Sequence, residues 1–159
     1  PYLQNEFFME VAEGIEAYAV YAPPTNGYIE QCYWYETIGS AQGMVPALLR
    51  NKAADRGVVI RYDRNQLPCY TQWKNTASKE CGYVTGLGPA TNIHNPKPFE
   101  RSHGRVVTLG PNESYSCTLR MEVLDSAQSV EAAQKEIRAL QGNSERIVHR
   151  EPQAGYSDV

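Results

Sequence analysis

The sequence lacks the features of several common protein classes. Its 159 residues contain no apolar run of membrane-spanning length, and the N-terminus has no cationic region followed by an apolar one. Fifteen Lys and Arg residues against 18 Asp and Glu residues give a net charge of −3, so no basic excess is present for a phosphate backbone. We therefore expect no membrane contact and no nucleic-acid partner, and we predict a soluble, cytoplasmic protein.

Metal-binding and disulfide patterns are also missing. No C-x-x-C pair occurs, and the three histidines are not at the spacing of metal ligands. The four cysteines lie far apart in apolar, strand-like runs, which favours buried free thiols in a reducing compartment. They are Cys32, Cys69, Cys81 and Cys117. We predict no structural metal and no disulfide.

Two enzyme motifs are incomplete, and a third arrangement is undecided. Gly86 and Gly88 follow an apolar strand, but Thr91 stands where a dinucleotide-binding fingerprint has its third glycine, and no helix follows. No G-x-S-x-G elbow of a serine hydrolase occurs. Asp63 and Glu80 flank the central strands, and the sequence cannot show whether two carboxylates face each other there. We predict no nucleotide cofactor, and no other cofactor is indicated.

Helical periodicity is confined to one segment near the C-terminus. Apolar residues recur there at intervals of three and four, from Ala127 to Leu140, and Gly142 follows as a stop signal. The pattern predicts an amphipathic helix over residues 126–141, with its polar face in solvent. The polar, unpatterned residues 142–159 predict a flexible tail.

The remaining segments alternate with a period of two, which is typical of strands. We predict about eight short strands, with residues 15–22 and 28–38 forming a hairpin across the Pro- and Gly-bearing turn at 23–27. At the turn that precedes the last strand, Asn112 suits a left-handed conformation. The further predicted strands are 44–51, 57–62, 68–74, 81–87, 105–109 and 114–124. The fold class is therefore all-β, an antiparallel β-sandwich with one C-terminal helix, in a single domain over residues 1–141.

The stretch 65–92 is the most promising place for a site, because two strands end there in glycine, proline and amide residues. Along the first of these strands, Gln72 and Lys74 share one face while Trp73 lies on the other. One face can enter a core and the other can line a cleft, and the sequence leaves open which is which.

Five motifs carry a resemblance to a known family. They are NQLP at 65–68, TQWKN at 71–75, GYVTGLGPATN at 82–92, NPKPFERSHGR at 95–105 and LGPNESY at 109–115. Through these motifs the chain resembles the aldose 1-epimerase family of the galactose mutarotase-like superfamily, in a bacterial subgroup of unknown function. The resemblance implies a partial supersandwich, because the chain is similar to the C-terminal half of the family fold. Exposed sheet edges would then pair with a second copy or with the missing N-terminal half.

The resemblance also implies a chemistry. A mutarotase needs a base that removes the proton of the anomeric hydroxyl and an acid that protonates the ring oxygen. In the family, these resemble a glutamate in this half of the fold and a histidine in the other half. Gly88 stands at the glutamate position and has no group that accepts a proton. Whether the chain is an isomerase therefore stays open, because Glu80 or Asp63 could reach the sugar instead.

The expected partner is a small carbohydrate. Aromatic faces stack on sugar rings and polar side chains bind hydroxyl groups, so the candidate contacts combine both types. They are Arg61, Gln72, Trp73, Lys74 and Asn92. Trp73 could equally belong to a core, and His94 and His103 are interpreted as surface loop residues. The alternatives to an aldose 1-epimerase-like activity are a non-catalytic sugar-binding or regulatory protein and a fragment with a structural role.

Overall fold

The structure is a computed structural model that describes the backbone of residues 2–4 and the whole of residues 14–151 and 153–156. Parts of the predicted domain and tail, namely residues 1, 5–13, 152 and 157–159, lie outside the described residues. The chain forms two compact units. The first contains residues 1–36, 69–107 and 146–159, and the second contains residues 37–68 and 108–145.

Strands dominate both units. In chain order they are β1 (Tyr2–Gln4), β2 (Gln31–Tyr35), β3 (Met44–Arg50), β4 (Gly57–Asp63), β5 (Cys69–Asn75), β6 (Val84–Ala90) and β7 (Leu119–Leu124). Helix α1 spans Lys97–Ser102 and helix α2 spans Ala127–Gln141. The first unit holds a sheet of order β1-β2-β5-β6, and the second a sheet of order β3-β4-β7. All of these strand pairs are antiparallel.

The second unit packs helix α2 on its sheet. Val130 and Ala133 of the helix are buried together with Val59 of β4 and Leu124 of β7. The Ser126 hydroxyl caps the helix by accepting a hydrogen bond from the Ser129 backbone N–H at 3.2 Å. The helix therefore begins and ends where the period of three and four predicts, one residue after Ser126 and one before Gly142.

The predicted fold class is confirmed. The described residues form antiparallel sheets with one long helix near the C-terminus. Asn112 has a φ of 63°, so the left-handed turn conformation predicted for it is confirmed too. Among the described residues, no helix is long and apolar enough to cross a membrane.

The predicted first hairpin is wrong. Residues 14–17 are helical, and no strand lies between residues 18 and 30. The reason is that side chains of the first sheet satisfy the backbone of this segment. The Tyr33 hydroxyl donates to the carbonyl oxygen of residue 14, and Lys74 Nζ donates to those of residues 17 and 20. Gln72 Nε2 donates to the carbonyl oxygen of residue 18, and the Tyr83 hydroxyl donates to that of residue 22. A segment bonded in this way needs no neighbouring strand.

Three further strand predictions are wrong or too long. No strand covers residues 105–109, and the last strand begins at Leu119 instead of residue 114, because the Thr118 N–H donates to the Gln66 side chain at 3.0 Å. Residues 79–81 form a 3-10 turn that Ser78 caps. Gly82 then has a φ of 90°, so β6 begins at Val84 and not at residue 81.

The cysteines are all free, although only two are shielded. Cys32 and Cys69 are half-buried, and burial raises the pKa of both thiols. Cys81 and Cys117 are exposed. The expectation of burial is therefore wrong for these two, because they lie in the 3-10 turn and in the irregular segment before β7, not in strands.

Residues of the predicted tail lie against the first unit. Val148 packs beside Ile15 and Tyr33, and Tyr156 packs beside Trp34 and Ile93. These contacts show where Val148 and Tyr156 lie. The flexibility of residues 142–159 remains a prediction.

Candidate functional site

The sheet of the first unit has two chemically different faces. Residues opposite each other on antiparallel strands point to the same side, so the register assigns each side chain to a face. The tyrosine face carries Gln31, Tyr33, Tyr35, Tyr70, Gln72, Lys74, Thr85, Leu87 and Pro89. The glycine face carries Cys32, Trp34, Cys69, Thr71, Trp73, Asn75, Val84, Gly86, Gly88 and Ala90. Of the five sugar-contact candidates, Gln72 and Lys74 therefore lie on the tyrosine face and Trp73 lies on the glycine face.

The tyrosine face is covered by residues 14–28. Gln72 is 8% exposed, and its Nε2 donates to the Tyr21 hydroxyl at 2.8 Å and to the Tyr18 carbonyl oxygen at 3.2 Å, while its Oε1 accepts from the Tyr35 hydroxyl. Burial raises the pKa of Tyr35 well above its usual range. All hydrogen-bonding groups of Gln72 are thus directed into a buried network.

Lys74 is held within the same face. Its side chain belongs to a residue only 2% exposed, and Nζ donates to the carbonyl oxygens of Ala17 at 2.7 Å and Val20 at 2.5 Å. The Tyr21 ring lies 5.3 Å from Nζ. Burial lowers the pKa of Lys74. This ammonium group fastens residues 14–22 to the sheet.

Trp73 lies on the glycine face and is only partly buried. Its indole Nε1 donates to the Glu30 carboxylate at 2.9 Å. Gly86 lies directly opposite, and a Cβ atom there would contact Trp73 Cβ at 3.4 Å. The glycine therefore leaves the flank of the tryptophan free of a neighbouring side chain on that strand.

Gly88 lies two residues further along the same face, opposite Thr71. Among the described residues other than its chain neighbours, an added Cβ would meet the Thr71 carbonyl oxygen at 3.3 Å and no other atom within 4 Å. The Thr71 hydroxyl in turn lies 3.2 Å from Nδ1 of His94, whose residue is exposed. Position 88 therefore carries no side chain, and the His94 ring lies within hydrogen-bonding distance of Thr71, the residue opposite it.

The loop that carries His94 is fixed by a buried carboxylate. Glu100 is 1% exposed. Its Oε2 accepts from the Ile93 backbone N–H at 3.0 Å and from Arg105 Nε at 2.7 Å. Its Oε1 accepts from Asn95 Nδ2 and from Arg105 Nη2, both at 2.7–2.8 Å. Although burial raises the pKa of Glu100, the hydrogen bonds from Arg105, Asn95 and Ile93 lower it overall.

Asn92 and Arg61 complete the placement of the predicted contacts. Asn92 follows β6, and its Nδ2 donates to the Ile93 carbonyl oxygen at 2.7 Å. Arg61 lies in β4 of the second unit and forms ion pairs with Glu122 and Glu136, each at 2.7 Å. The structure therefore brings Trp73 and Gly88 onto one face, places Asn92 at the end of β6, puts Gln72 and Lys74 on the opposite face, and assigns Arg61 to another unit.

Sequence reasoning missed two parts of this arrangement. His94 was interpreted as a surface histidine, and Glu100 was not singled out. The motif NPKPFERSHGR contains Glu100 and Arg105 five residues apart, and such a pair beside a Pro-rich loop is a signal that could have been used. Across residues 14–151 and 153–156, no group of three or more His, Cys, Asp or Glu side chains could hold a metal ion.

Comparisons with known proteins agree with this architecture. A family model described as "Domain of unknown function (DUF4432)" matches residues 4–123. No curated protein matches the sequence. A crystal structure from Klebsiella pneumoniae subsp. pneumoniae, of a protein provisionally described as an aldose 1-epimerase, is similar with 32% sequence identity and a TM-score of 0.80. The similarity covers 85% of this chain but 35% of that protein, so the chain spans about a third of the length of its structural relative.

Proposed function

This chain belongs to the family described as Domain of unknown function (DUF4432), and from the arrangement of its first sheet we propose that it binds a free sugar on the glycine face of that sheet. The observation that carries the proposal is the shared face of Trp73, Gly86 and Gly88, in a fold similar to a protein provisionally described as an aldose 1-epimerase. In this proposal the chain is the sugar-binding part of an aldose 1-epimerase-like protein.

Trp73 supplies the stacking surface. An indole ring that is partly exposed and flanked by a glycine can receive the apolar face of a pyranose ring without displacing another side chain. Its Nε1 is held by Glu30, which fixes the plane of the ring before a ligand arrives. Asn92 lies where the strand leaves the sheet and supplies amide groups for hydroxyl recognition.

Catalysis is absent from this proposal. Ring opening requires a group that takes the anomeric proton, and at Gly88 the strand offers only backbone. The chain is therefore proposed to bind the sugar without exchanging its anomers. Gln72 and Lys74 support the site indirectly, because their polar atoms hold the segment that covers the opposite face.

The setting is inferred to be cytoplasmic. Cys32, Cys69, Cys81 and Cys117 are free, and two of them are exposed. Exposed free thiols are typical of reducing compartments, where the sugar would be a metabolite and not an extracellular glycan.

Titration of the ¹⁵N-labelled protein with glucose and with galactose tests the proposal. The chain has two tryptophans, so two indole N–H signals report separately on Trp73 and on the buried Trp34. We expect the Trp73 signal to shift with added sugar. Covering roughly 60 Å² of apolar surface at about 25 cal/mol per Å² contributes about 1.5 kcal/mol, so Trp73→Ala weakens binding roughly tenfold.

Two variants serve as controls for that titration. Trp73→Phe keeps an aromatic face and retains most of the affinity, whereas Lys135→Ala, on an exposed position of α2 in the second unit, leaves it unchanged. An indole signal that stays in place at high concentrations of both sugars would refute the proposed site.

A further inference from the structure

We propose that His94 is a sugar-binding residue of the glycine face and that Glu100 is the residue that positions it. The inference rests on the proposed sugar site and adds to it a hydrogen-bonding group that neither the motifs nor the related proteins assign. It depends on the contacts of His94, on the open space at Gly88 and on the hydrogen bonds of the buried Glu100.

His94 is anchored through one ring nitrogen, and within residues 14–151 and 153–156 no hydrogen bond of the other is seen. Nδ1 lies 3.2 Å from the Thr71 hydroxyl oxygen, and Thr71 is 2% exposed. The residue His94 itself is exposed. An imidazole held by Nδ1 against a buried hydroxyl presents Nε2 away from that anchor.

The Thr71 hydroxyl allows Nε2 to take either hydrogen-bonding role. When Thr71 donates to Nδ1, the neutral ring carries its proton on Nε2 and donates to a ligand. When Nδ1 donates to Thr71, Nε2 is an acceptor. A sugar hydroxyl is both donor and acceptor, so each tautomer can bind it.

The space beside His94 is open because residue 88 has no side chain. Gly88 and His94 both adjoin Thr71, the glycine through strand pairing and the histidine through its ring. Of the described atoms beyond its chain neighbours, a Cβ on Gly88 would meet only the Thr71 carbonyl oxygen within 4 Å. A ligand hydroxyl placed above Gly88 would therefore lie near the His94 ring.

Glu100 binds the residues on both sides of His94, through the backbone of Ile93 and the side chain of Asn95. Ile93 donates its N–H to one oxygen of the carboxylate, and Asn95 donates its side-chain N–H to the other. Arg105 binds both oxygens and neutralises the buried charge. Because the residues before and after His94 are bonded to the same group, the histidine has little freedom to move, and its ring is preorganised for a ligand.

The matched control is the other histidine of this loop. His103 ends α1, where its Nδ1 lies 2.9 Å from the Phe99 carbonyl oxygen and its ring stacks on Phe99 at 4.3 Å. His103 is exposed like His94, yet it has no described contact with the glycine face. His94→Ala and His103→Ala therefore remove the same group from the same loop.

The experiment titrates the unaltered chain and these two variants with glucose and with galactose, and follows indole and imidazole signals by NMR. We expect sugar to shift the imidazole signals of His94, and His94→Ala to raise Kd about five- to tenfold, as loss of one hydrogen bond predicts. His103→Ala leaves Kd unchanged. His94→Gln restores part of the affinity, because its amide can replace one hydrogen bond.

Glu100→Gln tests the positioning role separately. We expect the His94 imidazole signals to move in the sugar-free protein and Kd to rise, while far-UV circular dichroism shows that the β-sheet is retained. Asn95→Ala removes one of the hydrogen bonds and gives a smaller change in the same direction, which keeps the test available if Glu100→Gln unfolds. If neither variant alters the His94 signals, the positioning role of Glu100 is refuted.

The outcomes separate this inference from the proposed function. If sugar shifts the Trp73 indole while His94→Ala binds as tightly as the unaltered chain, the sugar site stands and the role of His94 is refuted. If neither Trp73 nor His94 responds to sugar, the proposed site is refuted, and the inference falls with it.

Discussion

Gly88 lies directly opposite Thr71 on the neighbouring antiparallel strand, and in the part of the chain that the structure describes an added Cβ would meet the Thr71 carbonyl oxygen, at 3.3 Å. The backbone of Gly88 is not in the left-handed region. A side chain at this position therefore requires a shift of only a few tenths of an ångström. The fold itself does not demand a glycine here.

The first prediction concerns that tolerance. Gly88→Ala should change the free energy of unfolding by less than about 1 kcal/mol, because strand geometry favours a side chain and the contact is mild. Gly43→Ala is the comparison, since Gly43 has a φ of 87° and an added Cβ would lie 2.2 Å from Asn65 Nδ2. Chemical denaturation should show a loss of about 1–3 kcal/mol for Gly43→Ala. Equal losses in the two variants would contradict the geometry at Gly88.

The second prediction concerns the buried carboxylate. Glu100→Gln should cost about 3 kcal/mol of unfolding free energy at neutral pH, because Arg105 loses its charged partner in a shielded site. The pKa of Glu100 is lowered in the folded protein, so its contribution is present above the unfolded value of about 4.3 and is lost as pH falls through the folded value.

Urea denaturation at several pH values measures this effect. The stability difference between Glu100→Gln and the unaltered chain should shrink below about pH 4. Glu131→Gln is the control, because Glu131 is exposed and pairs only with Lys135 on the surface of α2. A stability difference that stays constant down to pH 2 would show that the charge of Glu100 is not what stabilises the loop.

The third prediction concerns Lys74. Lys74→Met removes both hydrogen bonds to the carbonyl oxygens of residues 17 and 20. Amide hydrogen exchange should therefore become faster in residues 14–22, while exchange in β4 of the second unit stays the same. Lys135→Met, at an exposed position, should change neither. Unchanged exchange in residues 14–22 would mean that Lys74 does not hold this segment.

The fourth prediction concerns association through β7. This strand is an edge of its sheet, and Leu119, Met121 and Val123 are 45%, 66% and 74% exposed in alternation. Antiparallel pairing of two copies centred on Met121 would place Arg120 of one copy opposite Glu122 of the other. We expect the chain to self-associate by this edge, because unpaired apolar strands recruit other strands.

Sedimentation velocity over a range of concentrations measures that association. Met121→Lys should shift the protein towards monomer, since charged side chains protect sheet edges. Lys135→Ala should not. A stable monomer of the unaltered chain at high concentration would contradict the expectation. The edge strand β7 would then be expected to pair with a strand of a longer relative instead.

Much of the fold could be predicted from the sequence because its signals are local. The period of three and four from Ala127 to Leu140 and the cap at Ser126 located α2, and alternation located β5. The predicted strands 44–51 and 57–62, set off by the stretches 39–43 and 51–56, correspond to β3 and β4. The segment 15–22 was misassigned because its alternation resembles a strand, whereas long-range hydrogen bonds from Tyr33, Lys74 and Tyr83 decide its conformation. Such bonds link residues many positions apart and leave no local pattern.

The site was predicted less completely for the same reason. Alternation along β5 separated Trp73 from Gln72 and Lys74, but only strand pairing shows which face is covered. Arg61 was grouped with them as a polar strand residue, although its charge is paired with Glu122 and Glu136 in another unit. Folding, not spacing, decides these partners.

The most direct test of the account is the rate of anomer exchange. For the unaltered chain, exchange of α- and β-glucose or galactose followed by NMR at neutral pH should equal the rate in buffer. Clear acceleration of the exchange by the unaltered chain, lost in Glu80→Gln, would show that the base lies elsewhere. It would contradict the claim that the chain binds the sugar without exchanging its anomers.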